Sequence, residues 1–131
     1  MAFVIAAVVL CCAVTAFAGQ GPLTFEETAK YTIYVGTNDK DTLKSEISLK
    51  EAKELVAGIC NRYVGGYTLY QANGGWLNAD GEATQEDTLV LVLFDAAEQD
   101  VKNIAGEITA ALNQESLLIE KDTAAVSFYG G

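Results

Sequence analysis

The spacing of apolar residues changes several times along the chain, and each change predicts an element. Tyr31-Thr32-Ile33-Tyr34-Val35 is β-branched and aromatic and stops at Gly36, before the polar loop Thr37-Asn38-Asp39-Lys40-Asp41; this predicts a first strand. Ser48-Leu49-Lys50-Glu51 sets a hydroxyl and a carboxylate three residues apart, where each satisfies backbone donors at a helix start. Ala52, Leu55, Val56, Ile59, Cys60 and Tyr63 then recur at threes and fours, so a helix with one apolar stripe is expected, ended by Gly65-Gly66. Tyr67 to Ala72 predicts a second strand, Asn73-Gly74-Gly75 a bulge or kink, and Asn78-Ala79-Asp80-Gly81 a tight turn. The return arm runs into Thr88-Leu89-Val90-Leu91-Val92-Leu93-Phe94, an unbroken apolar run of the kind a central strand carries when both its faces are covered. From Asp95 to Asn113 the helical spacing returns, with Ala97, Val101, Ile104, Ala105, Ile108, Ala111 and Leu112 on one side. A final strand is expected from Leu117-Leu118-Ile119-Glu120 and Ala124 to Tyr129, with a break at Lys121-Asp122.

The order strand, helix, strand, strand, helix, strand is the split βαβ arrangement of ferredoxin-like domains. An α+β two-layer sandwich over residues 29–131 follows, with both helices on one face of a four-stranded antiparallel sheet and the first and third strands central. If Ile33 and Val35 face the helices, Thr32, Tyr34, Thr68 and Tyr70 face away, joined by either Leu89, Leu91 and Leu93 or Val90, Val92 and Phe94. Either set makes the open face apolar enough to call for a cover. A homodimer packed face to face supplies one; the connector or the long hairpin folding across the sheet supplies another.

Composition narrows the partners and the address. At 131 residues and half hydrophobic, the chain has the material for one core. Its net charge of −10 repels phosphate backbones and excludes nucleic acid as a partner. Ala2 to Ala18 is uncharged and ends in the small-residue pattern Ala16-Phe17-Ala18, so residues 1–18 are expected to be a secretory signal peptide, with a membrane anchor as the rival. Localisation is accordingly secreted or cell envelope, with membrane association only if the leader stays uncleaved. Neither Leu10 before Cys11 nor Cys11 before Cys12 is the small residue a lipoprotein signal carries. Residues 19–28, with the sole proline, Pro22, read as a connector. Removal of the leader leaves only Cys60, which forms no internal disulfide and sits among apolar helical positions as a structural thiol.

Candidate chemistry is sparse. The chain has no histidine, and no nucleophile with a base is recognisable. Asn38, Asp39 and Asp41 are oxygen donors of the type Ca²⁺ accepts, but Lys40 stands between the aspartates and the spacing is that of a solvated turn; no metal is expected. Gly65-Gly66 and Gly74-Gly75 do not sit between a strand and a following helix as phosphate-cradling loops do, so no cofactor is expected either. In the ferredoxin-like topology, the loop after the first strand and the Asn113-Gln114-Glu115 segment gather near Trp76. Trp76 and Glu86 lie on opposite hairpin arms, roughly across from one another. Tyr34, Tyr70, Trp76 and Glu86 form the candidate ligand-binding patch for an unknown small molecule or protein. The preferred reading is a non-enzymatic binding or interaction module in which Glu86 accepts a structural hydrogen bond. The alternatives are an enzyme with Glu86 as general base and an anchored envelope structural protein.

The spacing Gly66-x-Thr68, Gly74-x-Trp76, Gly81, Glu86-x-Thr88 resembles the signature of a family of small exported bacterial proteins classed only as a domain of unknown function. The likeness extends over most of the chain after the leader, with Asp87 standing where that family often has proline. It implies a compact secreted or envelope domain without assigned activity.

Overall fold

The computed structural model describes residues 21–130. The leader expected at residues 1–18, with Cys11 and Cys12, lies outside them. The elements are β1 (Glu26–Gly36), α1 (Leu49–Cys60), β2 (Thr68–Leu77), β3 (Ala83–Phe94), α2 (Glu98–Ala111) and β4 (Leu118–Val126). The strands form one antiparallel sheet in the order β2-β3-β1-β4, so the first and third are central, as the ferredoxin-like α+β fold requires. Among the described residues no helix is long and apolar enough to cross a membrane.

Alternation along β1 and β3 builds the core. Tyr31, Ile33 and Val35 from β1 and Leu89, Leu91 and Leu93 from β3 are buried with Ala52, Val56, Ile59 and Cys60 from α1 and Val101, Ile104, Ile108 and Leu112 from the α2 region. Fully burying such a branched side chain stabilises by roughly 1.5–3 kcal/mol, so this layer accounts for the cohesion of the domain. The intervening residues therefore make the open face, and Val90, Val92 and Phe94 are the set that joins Tyr34 and Tyr70. Tyr70 pairs with Val90, and Val90 pairs on its other side with Tyr34. Val90 is buried there, while Tyr34, Tyr70 and Phe94 stay exposed.

Several boundaries differ from the sequence reading. β1 starts at Glu26, five residues before Tyr31, and Glu26, Glu27 and Thr28 of the expected connector pair with Val126, Ala125 and Ala124. The Ser48 capping box is present, with Ser48 and Glu51 bonding each other's backbone N–H groups, but α1 ends at Cys60 rather than at Gly65-Gly66. Its last carbonyls are taken by the turn Asn61-Arg62-Tyr63-Val64, and neither glycine has positive φ. β2 continues through Asn73-Gly74-Gly75 without a bulge, in unbroken register with β3. A Cβ on Gly74 would fall on the Thr88 hydroxyl, so that glycine admits a neighbour rather than kinking the strand. β4 likewise runs through Lys121-Asp122 unbroken. Lys121 is accommodated because its ammonium lies 5.5 Å from the centre of the Tyr31 ring and 3.3 Å from Glu98. In α2, Ala97 is the exposed N-cap and Ala111 is also exposed, so the buried stripe is narrower than the spacing suggested.

Candidate functional site

β1 pairs with β3 only as far as Thr88, whereas β2 follows β3 to Ala83. The last turns of the hairpin therefore project beyond the sheet as a two-stranded ribbon. Its tip is closed by Asn78, whose Oδ1 accepts from the N–H groups of Asp80 (3.0 Å) and Glu82 (2.8 Å), and by Gly81 at φ 79°. The loop after β1 and the loop before β4 meet this ribbon on one side, as the topology predicts.

Glu86 is the joint between ribbon and loop. Its Oε2 accepts from the Asn38 N–H at 3.0 Å, and its carboxylate occupies the space a side chain at residue 36 would need: a Cβ on Gly36 would lie 2.7 Å from Oε1 and 2.8 Å from Oε2. Alongside, Asp87 O accepts from both the N–H (3.2 Å) and the hydroxyl (2.8 Å) of Thr37. The structural bond expected of Glu86 is thus made, to a backbone N–H and not to the indole. Trp76 sits opposite Thr84 and Glu86 opposite Gly74, so the pair are diagonal neighbours on the open side of the ribbon, about 7 Å apart.

Asn113 and Gln114 tie the second loop to the first. The Asn113 side-chain amide donates to Asp39 Oδ2 at 2.9 Å and to Asp41 Oδ2 at 2.8 Å, and the Asn113 backbone carbonyl accepts from the Lys40 N–H at 3.0 Å. Gln114 Nε2 donates to the carbonyls of Asn38 and Leu112. The Asn113 bond, helped by the N–H groups of Thr42 and Asp41, holds the Asp39 carboxyl below its ordinary range. Lys40 and then Asn113 do the same for Asp41. These aspartates are therefore loop fasteners bridged by an amide. Asn113 itself has φ 46°, the left-handed conformation asparagine tolerates just past a helix end.

Between the ribbon and the two loops lies a cavity of about 270 Å³, lined by Asn38, Asp39, Lys40, Leu43, Trp76, Glu86, Gln114, Glu115 and Ser116. Trp76 and Glu86 of the candidate patch meet here. Tyr34 and Tyr70 share the same sheet face but pair with Val90, four residues along β3 from Glu86, about 13 Å away. The patch is thus split into a cleft and a separate tyrosine row. Leu43, which no periodicity marks, is a further lining residue: it is exposed and held at φ 58°. A leucine in that conformation costs roughly 1–2 kcal/mol, and such strain gathers where a loop is shaped for a task.

Comparison with known proteins adds the fold's relatives. No curated protein matches the sequence. Among solved structures, a phage SAM lyase in complex with S-methyl-5'-thioadenosine is similar at 17% identity and a TM-score of 0.56, covering 83% of this chain and 95% of that one. The same lyase in its apo state gives 17% identity and a TM-score of 0.52, over 78% and 90% of the two chains. At this identity the likeness is one of fold. The family model of DUF3574, described as a protein of unknown function, matches residues 30–128, which reach from within β1 to just past β4; the chain belongs to that family.

Proposed function

We propose that this chain is an exported, non-enzymatic binding domain that holds a small molecule in the cleft beside Trp76 and Glu86. The observation carrying this reading is the placement of Glu86, which lines the same cavity as Trp76 and whose Oε2 is engaged by Asn38 while Oε1 has no hydrogen-bond partner among the described residues. At about 270 Å³ the cavity falls just under the roughly 300 Å³ at which drug-sized ligand sites begin, which suits a small metabolite better than a protein segment. A metabolite screen by thermal shift tests this, with Glu86→Gln and Trp76→Ala as controls. A compound that raises the melting temperature of the wild type and of neither variant supports the site; a stabilising compound indifferent to both substitutions removes it. Export rests on the run Ala2 to Ala18. A mature terminus at Gly19, found by mass spectrometry, supports secretion, and an intact leader supports the anchored form.

A second reading places a reaction in the same cleft, with Glu86 as general base. It is favoured by the shared fold with a lyase whose complex holds S-methyl-5'-thioadenosine. Chromatography of the chain incubated with S-adenosylmethionine discriminates: product that forms with wild type and not with Glu86→Gln replaces the binding reading. The open face supports a separate proposal of homodimerisation, since Tyr34, Tyr70 and Phe94 leave apolar surface uncovered around Val90. Light scattering that finds only monomer at high concentration removes it.

A further inference from the structure

We infer that the cleft selects a small organic cation of the methylated ammonium type, an inference resting on the reading that the cleft is a ligand site. The charge balance of the lining is its first support. Asp39, Glu86 and Glu115 contribute three carboxylates against one ammonium, from Lys40. That ammonium is already engaged, 2.8 Å from Asp41 Oδ1. Gln114 Nε2 is occupied as well, bonded to the carbonyls of Asn38 and Leu112. The excess of carboxylates over free ammonium in the lining favours a cation, and a net charge of −10 draws cations toward it at long range. An anionic ligand is repelled by the same carboxylates.

The second support is the wall. Trp76 is 44% exposed and Leu43 is 57% exposed, and both line the cavity with Glu86. The indole has the strongest cation-attracting face among side chains, and Glu86, its diagonal neighbour on the same ribbon, lines the same cavity. A bare metal ion or a hydrated lysine-like ammonium gains nothing from Leu43, whereas methyl groups bury against it.

Trp76 is the sole tryptophan, so its fluorescence reports this site alone. The test is titration of the full-length chain with choline and with 3,3-dimethylbutan-1-ol, its uncharged isostere, followed by Trp76 emission and by calorimetry. The expected result is at least tenfold tighter binding of choline, with the preference lost in Glu86→Gln while that variant melts as the wild type does. Equal affinity for the two isosteres, or tighter binding of an anion such as 3,3-dimethylbutanoate, overturns the cation inference and leaves the cleft as a ligand site. Silence of both signals toward all three probes overturns the cation inference, and silence across the metabolite screen removes the site reading with it.

Discussion

Gly36 matters for the side chain it lacks. It does not use left-handed backbone, since Gly81 is the positive-φ glycine among the described residues, so an alanine fits its φ and ψ. The added Cβ would nevertheless lie within 2.9 Å of the Glu86 carboxylate, and the flexible glutamate must yield. Gly36→Ala is expected to cost about 1.5 kcal/mol, the lower end for a bond to a charged acceptor, and to speed hydrogen exchange at the part-buried Asn38 N–H. Unchanged Asn38 protection would show that Glu86 does not hold the loop. Cys60 is the opposite case, a side chain defined by enclosure: burial pushes its thiol up to about 11. In the chain lacking residues 1–18, and so Cys11 and Cys12, an aromatic disulfide reagent at pH 8 is expected to leave the native protein unlabelled and to modify Cys60 fully in denaturant; rapid native labelling would contradict its structural role. The burial of Cys60 was legible from helical spacing. The contact between Gly36 and Glu86 was not, because it depends on how far β3 outruns β1, a register that neither strand specifies alone.

At the scale of elements, the loops around the cleft are fastened by charge and the ribbon by register. The folded Asp39 and Asp41 carboxyls both titrate below their ordinary range, through Asn113 and Lys40 respectively. Their contribution is therefore complete above the ordinary aspartate value of about 4, and is lost as pH falls through their lowered folded values. Acidification from pH 7 to 2 is expected to leave Trp76 emission constant until below about pH 4 and then shift it as the two loops part. Emission that shifts near neutral pH, or not at all, would contradict the fastening. The Ser48 capping box was readable because its partners are three residues apart. The end of α1 and the straightness of β2 were not. Glycine pairs signal freedom, and here the freedom of Gly74 is used to admit Thr88 rather than to bend the chain.

For the whole molecule, one helix-covered layer supports a sheet whose far end carries the cleft. The apolar runs and their order were sufficient to predict this topology, because burial on the helix side demands the alternation seen in β1 and β3. Leu91, fully buried in the central strand, is expected to cost about 2–5 kcal/mol when truncated in Leu91→Ala, read by denaturant unfolding. A loss below 1 kcal/mol would mean that this layer is not the core. Where a ligand sits is located directly by amide chemical-shift mapping of the chain with choline. Perturbations concentrated at Asn38 to Leu43, the Trp76 indole, Glu86 and Gln114 to Ser116 are predicted; perturbations confined to the row of Tyr34, Tyr70 and Phe94, or to α1 and α2, would contradict it.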